Sequence, residues 1–307
     1  MGYKIGIIGC GNVGLSYAYS LVNLSLDINE IILIDLNKNK MLGEALDLSH
    51  SISNARGYVE KIYFGEYDDI KDADILCITA GMPQSSKKVS RMEDIGGAAV
   101  IIENIMKNVN KTGFDGIILV ASNPLDIMTL KIAKLYNCNY NKVIGSGTLL
   151  ETARLKYEIS KKLNFPIRSI SGYVLGEHGD SQFVVWSSVK INDKYEINDY
   201  LSQSDMLEIA DNVKKAGFYV SSLKGYTNFG VATALSRITK NIINDQKEFI
   251  PVSSYDKEKD VYISALTKVG CKGVEERTID FLNENEKELY GISANIIKEG
   301  YKSLEQK

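Results

Sequence analysis

The pattern of apolar and polar positions changes character about half-way along the chain. In the first half, short and almost unbroken apolar runs alternate with segments in which apolar residues recur every three or four positions. Such runs are typical of strands buried on both faces of a sheet, and the periodic segments are typical of amphipathic helices. Strands are predicted at residues 4–8, 30–34, 61–64, 74–79, 116–121 and 143–145. This alternation predicts a doubly wound parallel sheet of the α/β class.

Three glycines follow the first predicted strand. Gly9, Gly11 and Gly14 lie where the strand turns into a helix. There the first glycine permits a tight turn, the second lets a pyrophosphate approach the backbone, and the third lets the helix pack closely on the strand. The next strand ends in Asp35, whose carboxylate would bind ribose hydroxyls and repel a 2′-phosphate. The order of strand, glycines, helix, strand and acid predicts a Rossmann-type site that prefers NAD to NADP.

The second half of the chain mixes long helices with strands. Helices are predicted at residues 149–163, 204–223, 229–243 and 284–303, and strands at 170–175, 182–189 and between 248 and 274. No flexible linker separates the two halves, so we expect a packed hinge at residues 145–148. We predict a Rossmann-type NAD-binding domain at residues 1–145 and an α+β catalytic domain at residues 146–307.

His178 is one of only two histidines and lies in the run Gly-Glu-His-Gly-Asp-Ser, directly after a predicted strand. An imidazole titrates near neutral pH, so it can both donate and accept a proton. A lone histidine is more often structural, which is how we interpret His50. Together with a dinucleotide site, however, His178 indicates hydride-transfer chemistry.

Two arginines are candidates for holding a carboxylate substrate, because a guanidinium grips a carboxylate through two parallel hydrogen bonds. Arg154 lies three residues after Glu151 on the same face of a predicted helix. Arg91 follows a polar segment that joins a strand to a helix. Taken singly, Glu151 and Arg154 are better explained as an ordinary surface pair on a helix, and the alternative for Arg91 is a solvated loop residue.

Composition narrows the class of protein. The chain has 307 residues and a net charge of −3, which gives no reason to expect a nucleic-acid partner. The first strand begins by residue 4, leaving no room for a signal peptide, and no apolar run is long enough to span a membrane. The four cysteines lack metal-ligand spacing, so we expect free thiols, no metal site and a cytoplasmic location.

Segments spread over essentially the whole chain resemble the L-lactate/malate dehydrogenase superfamily, in the family's order. They are residues 9–14, 35, 79–84, 91, 122–126, 148–154, 176–181 and 224–227. Within that superfamily, residues 171–178 and 225–233 look most like L-2-hydroxyisocaproate dehydrogenases, which accept larger side chains. The resemblance implies a small 2-oxo or 2-hydroxy acid substrate, NAD as cofactor, and a homodimer or homotetramer.

The resemblance also implies roles for individual residues. His178 exchanges a proton with the substrate oxygen, Glu151 orients it, and Arg91 lies on a loop that closes over the substrate. The implied substrate-binding residues are Arg154, which holds the carboxylate, and Asn123, Gln84 and Thr227. The implied cofactor-binding residues are Gly9, Gly11, Asn12, Val13, Gly14, Asp35, Thr79, Ala80, Gly81, Ser122 and Asn123.

Three features depart from the family pattern. Glu151 stands where the family usually has aspartate, so its extra methylene must be absorbed by a rotamer change or a helix shift. The segment at residues 81–91 is one residue longer than in typical lactate dehydrogenases. Ser171 stands where the allosteric bacterial enzymes have a histidine, so activation by fructose 1,6-bisphosphate is not expected.

The preferred interpretation is an NAD-dependent L-2-hydroxyacid dehydrogenase acting on a 2-oxo acid such as pyruvate or 2-oxoisocaproate. One alternative is malate dehydrogenase, although those enzymes generally place an arginine where this chain has Gln84. A second alternative is a non-catalytic NAD-binding protein. The presence of His178, Arg91 and Arg154 together argues against it, since NAD binding requires none of them.

Overall fold

The computed structural model describes residues 2–81 and 95–305. The first half contains β1 (Tyr3–Ile8), α1 (Asn12–Asn23), β2 (Asp27–Ile34), α2 (Lys38–Ser51), β3 (Tyr58–Phe64), β4 (Ile75–Ile78), α3 (Ile95–Thr112), β5 (Ile117–Val120), α4 (Leu125–Leu135) and β6 (Val143–Gly145). The second half contains α5 (Leu149–Leu163), β7 (Ile170–Leu175), β8 (Phe183–Ile191), β9 (Tyr195–Glu196), α6 (Gln203–Lys224), α7 (Phe229–Ile243), β10 (Glu248–Asp256), β11 (Val261–Gly270), β12 (Gly273–Thr278) and α8 (Glu284–Glu305).

The parallel sheet predicted from the apolar runs is present. Strands β3, β2, β1, β4, β5 and β6 lie side by side in that order, and each neighbouring pair is parallel. Every residue of β4 is buried, with Leu76 and Ile78 packed in one core cluster and Ile75 and Cys77 in another. The unbroken apolar run therefore fills two cores, one on each face of the sheet, and the α/β prediction is confirmed.

The large sheet extends beyond the prediction. Strands β10, β11 and β12 join it antiparallel, with Ser253 of β10 paired to Gly145 of β6, so described strands from both halves form one sheet. The two halves are also joined by α7, since the hydroxyl of Tyr17 in α1 lies 2.6 Å from that of Thr239. Sequence patterns show which segments are strands, but pairing between strands so distant in the chain depends on tertiary packing.

A smaller antiparallel sheet holds β7, β8 and β9. Its apolar face packs with α5 and α6 around a third core cluster that includes Leu155, Val174 and Val213. The end of β7 also meets the large sheet, because the backbones of Gly176 and Ser264 exchange two hydrogen bonds. This contact places the turn that carries His178 against the larger sheet. Among the described helices none is both long and apolar enough to cross a bilayer.

Candidate active site

The loops after β1, β4 and β5 meet at one edge of the large sheet. The hydroxyl of Thr79 donates to the carbonyl oxygen of Gly9 at 2.5 Å, and that of Ser122 donates to the carbonyl oxygen of Ala80 at 2.5 Å. The carboxyl ends of parallel strands share one edge, so these residues are brought together as expected from their places in the sequence. Gly81 and Asn123 are exposed at the same edge.

The three glycines of the first loop serve different purposes. Gly9 has a φ of +92°, and a Cβ there would lie 2.4 Å from the backbone nitrogen of Ala80. A Cβ on Gly14 would lie 2.4 Å from the carbonyl oxygen of Gly9. At both positions a side chain is therefore excluded because it would collide with the protein's own backbone.

Gly11 differs, because a Cβ there would have no neighbour within 4 Å. Gly11 is exposed and lies at the N-cap position of α1. Because it has no side chain, it accepts no side-chain hydrogen bond from the first N–H groups of the helix, which begin at Asn12 and Val13. Open space in front of free N–H groups at a helix N-terminus fits a pyrophosphate. The residues present therefore fit a dinucleotide.

Asp35 is held at the end of β2 beside this loop. One of its carboxylate oxygens accepts the backbone N–H of Cys10 at 2.8 Å, and the other accepts that of Asn37 at 3.3 Å. These bonds fix a half-buried negative charge next to the glycines, where it suits ribose hydroxyls and opposes a 2′-phosphate.

His178 lies in the turn after β7, next to Glu151 from the first turn of α5. Its Nδ1 atom is 3.3 Å from Oε2 of Glu151, and its side chain is 24% exposed while that of Glu151 is only 5% exposed. Burial opposes the charged imidazolium, but the attraction of the Glu151 carboxylate, assisted by Asp126, outweighs it and raises the pKa of His178 above its usual value. An imidazole whose Nδ1 faces a carboxylate leaves Nε2 for proton exchange with a ligand.

Arg154 completes this cluster from the same helix. Its Nη1 atom donates to Oε1 of Glu151 at 3.0 Å. On its other side it faces α6, where a Cβ on Gly217 would lie 3.4 Å from Nη2. Burial alone would raise the pKa of Glu151, but His178 and Arg154 more than reverse this and lower it, so the carboxylate is ionised.

Asp126, which our sequence analysis did not select as a site residue, supports the histidine from α4. It is 2% exposed; Oδ2 accepts the backbone N–H of His178 at 2.7 Å and Oδ1 accepts the hydroxyl of Ser253 at 2.5 Å. Burial raises the pKa of Asp126 to about 6 against the opposing effect of these hydrogen bonds. The one feature of the sequence that could have indicated this role is the position of an aspartate among the apolar residues Leu125, Ile127 and Met128.

The turn that carries His178 is also anchored to α8. The hydroxyl oxygen of Ser293 accepts the backbone N–H of Glu177 at 2.7 Å, and the Glu177 carboxylate accepts the hydroxyl of Ser181 at 2.6 Å. Gly176, with a φ of +93°, begins this turn. Ser293 was not predicted as a site residue, because nothing near it in the chain indicates this contact.

Three further predicted site residues are Thr227, Gln84 and Arg91. Thr227 is half-buried in the turn between α6 and α7. Gln84 and Arg91 lie outside the described residues.

Comparison with known proteins assigns the chain to a family. The sequence profile described as lactate/malate dehydrogenase, NAD binding domain, matches residues 3–145, and the profile of the alpha/beta C-terminal domain matches residues 148–307. The chain belongs to the lactate/malate dehydrogenase family. Residues that match the NAD binding domain include the glycine loop and Asp35, and the protein uses NAD.

Relatives within this family match over almost their whole length. An L-lactate dehydrogenase of Bacillus pumilus is 39% identical over 305 residues, covering 96% of both chains. L-lactate dehydrogenase 3 of Bacillus cereus is 40% identical over 314 residues, covering 98% of both.

Solved structures of the family are similar throughout. A lactate dehydrogenase from a Medee basin deep-sea metagenome library aligns with a TM-score of 0.92 at 37% identity, covering 99% of this chain and 100% of that one. The ligand-bound minor L-lactate dehydrogenase of Enterococcus mundtii aligns with a TM-score of 0.93 at 34% identity, covering 99% and 98%. The fold predicted from the sequence is thus that of lactate dehydrogenases.

Proposed function

We propose that this protein is an NAD-dependent L-2-hydroxyacid dehydrogenase, which interconverts a 2-oxo acid and its L-2-hydroxy acid. The observation that carries the proposal is the cluster of His178, Glu151 and Arg154. It combines a proton donor and acceptor with a cation suited to a carboxylate, in a family that uses NAD. When bound, the nicotinamide of NAD would supply the hydride in reduction and accept it in oxidation.

Each residue of the cluster has a separate task. During reduction, Nε2 of His178 donates a proton to the carbonyl oxygen of the substrate, and during oxidation it takes the proton back. Glu151 holds Nδ1 and stabilises the imidazolium. Arg154 binds the carboxylate and so orients the carbon that exchanges the hydride. Arg91 polarises the carbonyl group, and Asn123, Gln84 and Thr227 contribute to the substrate pocket.

We assign NAD binding to residues 1–145 and the catalytic side chains to residues 146–307. The residues that we assign to NAD binding are Gly9, Gly11, Asn12, Val13, Gly14, Asp35, Thr79, Ala80, Gly81, Ser122 and Asn123. The proposal is supported by the open space at Gly11 and by the carboxylate held beside it. The cysteines Cys10, Cys77, Cys138 and Cys271 are all free, which supports a reducing, cytoplasmic location.

We also propose that the enzyme is a homodimer or homotetramer. Large apolar side chains are exposed on α2 and α6, including Leu42, Leu46, Phe218, Tyr219 and Leu223. A second copy of the chain would cover them, since exposed apolar patches commonly mark interfaces. Light scattering coupled to size exclusion should give twice or four times the chain mass, and a monomer at micromolar concentration would contradict this proposal.

A substrate panel tests the proposed activity. Purified protein would be assayed with NADH and pyruvate, 2-oxoisocaproate or oxaloacetate. The neutral Gln84 cannot pair with a second carboxylate, so we expect monocarboxylic substrates to exceed oxaloacetate by about 100-fold in kcat/KM. Higher efficiency with oxaloacetate than with every monocarboxylic 2-oxo acid would favour malate dehydrogenase. Tight NADH binding without turnover on any 2-oxo acid would favour a non-catalytic protein.

Gln84→Arg is the matched variant for this panel. The added guanidinium supplies a partner for the second carboxylate, so the preference should shift towards oxaloacetate. An unchanged preference would show that residue 84 does not face the substrate side chain.

A further inference from the structure

The single carboxylate of Glu151 is divided between two basic side chains. Oε1 accepts a hydrogen bond from Nη1 of Arg154 at 3.0 Å, whereas Oε2 lies 3.3 Å from Nδ1 of His178. The side chain of Glu151 is 5% exposed, so water does not compete strongly for either oxygen. The proposed proton donor and the proposed carboxylate anchor therefore share one buried anion.

Glutamate is suited to this position by its reach. Glu151 lies in the first turn of α5, and Arg154 follows three residues later on the same helical face. His178 approaches from a different element, the turn after β7. An aspartate would be shorter by one methylene, about 1.5 Å, and would have difficulty reaching both partners from the same backbone position. The glutamate that departs from the family pattern is thus the residue whose length makes sharing possible.

We propose that Glu151 is a positioning residue shared by His178 and Arg154, and that a substrate carboxylate, by binding Arg154, releases Glu151 to His178. This inference rests on the proposed function, which assigns the carboxylate to Arg154. The guanidinium has several N–H donors, but the carboxylate of a 2-oxo acid competes with Glu151 for them. Once Arg154 is satisfied by substrate, the charge of Glu151 stabilises chiefly the imidazolium.

The other charged groups around the imidazole are consistent with this coupling. Asp126, packed against His178 from α4, favours its protonated form, whereas Arg154 opposes it. Glu177, in the same turn as His178, adds a further negative charge beside Asp126. Neutralising Arg154 therefore removes the unfavourable cation and frees the favourable anion at the same time. The pKa of His178 would therefore rise, so that its imidazole holds a proton, only when a carboxylate-bearing substrate is bound.

The coupling can be measured without turnover, because the chain contains only two histidines. With ¹³C-labelled histidine, the imidazole of His178 is followed by NMR against pH, and His178→Asn assigns its signal. The exposed His50 serves as an internal reference. The titration is repeated in Glu151→Gln, Arg154→Met and the double variant, which form a double-mutant cycle with the pKa of His178 as the readout.

Sharing predicts that the two substitutions are not additive. Arg154→Met should raise the pKa of His178 by about one unit when Glu151 is present, because the arginine is removed and the carboxylate is freed. In the Glu151→Gln background the same change should raise it by clearly less, since only direct repulsion is lost. Equal increases in both backgrounds would overturn the inference. Loss of turnover with every 2-oxo acid would instead count against the proposed function and would leave this cycle measurable.

A second measurement covers the case in which the double variant fails to fold. Oxamate, the amide analogue of pyruvate, is added with saturating NADH to the wild type and to Glu151→Gln. The oxamate carboxylate should raise the pKa of His178 more in the wild type than in Glu151→Gln. The same increase in both proteins would contradict the release of Glu151.

Discussion

Asp126 provides a quantitative test of how the candidate site affects stability. Its carboxyl group is buried, and its pKa is raised from 3.8 to about 6, first by burial and against the hydrogen bonds from Ser253 and the His178 backbone. A shift of about two units corresponds to about 3 kcal/mol of folding free energy. We therefore expect Asp126→Asn to remove a pH-dependent destabilisation, because an amide of the same shape carries no charge and retains a hydrogen-bond acceptor.

The direction of this pH dependence follows from how tightly Asp126 binds a proton in the folded and the unfolded protein. Because the folded protein binds this proton more tightly, the stabilising effect of protonation is fully present below pH 4 and is lost as the pH rises through 6. Integrating between an unfolded pKa of 3.8 and a folded pKa of about 6 gives a loss of about 1.4 kcal/mol between pH 5 and pH 8. Between pH 5 and pH 8, the free energy of unfolding of the wild type should therefore fall by that amount relative to that of Asp126→Asn.

Urea unfolding followed by circular dichroism, at half-unit steps from pH 5 to pH 8, measures this difference. Ser253→Ala is the matched control, because loss of its hydroxyl should raise the pKa of Asp126 further and move the transition to higher pH. The reasoning would be refuted if the free energies of unfolding of the wild type and of Asp126→Asn changed in parallel across this pH range. Parallel curves would show that Asp126 has the same pKa in the folded and the unfolded protein.

Three further predictions concern the cofactor and the proton. Asp35 should make kcat/KM with NADH exceed that with NADPH by at least 100-fold, because a carboxylate meets the 2′-phosphate; equal efficiencies would contradict this. His178→Asn should bind NADH normally by fluorescence titration but lose about 10²–10⁴ in turnover; near-normal turnover would exclude His178 from the mechanism. Gly11→Ala should fold like the wild type, because its Cβ meets nothing within 4 Å, yet bind NADH at least about tenfold more weakly. Gly14→Ala should instead lower the melting temperature, since its Cβ would lie 2.4 Å from the carbonyl oxygen of Gly9; a reversal of these two outcomes would show that Gly11 does not face the cofactor.

Local sequence patterns were sufficient for much of the fold and for one edge of the site. The apolar runs predicted the parallel strands, since a strand buried on both faces must be apolar at nearly every position. The glycine loop was recognisable because its three glycines follow a strand and precede a helix at a fixed spacing, although the collision that excludes a side chain at Gly9 is with Ala80 in the distant loop after β4. The pairing of Glu151 with Arg154 followed from helical geometry alone, because residues three apart share a face.

Contacts between distant segments were decided only by the tertiary structure. The bond between Asp126 and the backbone of His178 joins α4 to the turn after β7, and Ser253 reaches the same carboxylate from β10. The joining of β10 to β6 likewise depends on how the two halves pack. Periodicity and propensity describe a few consecutive residues, whereas such contacts depend on the relative placement of whole elements. An aspartate within an apolar helical run can therefore be recognised in the sequence as a buried residue. Its hydrogen-bond partner, here the backbone of His178, is determined only by the tertiary structure.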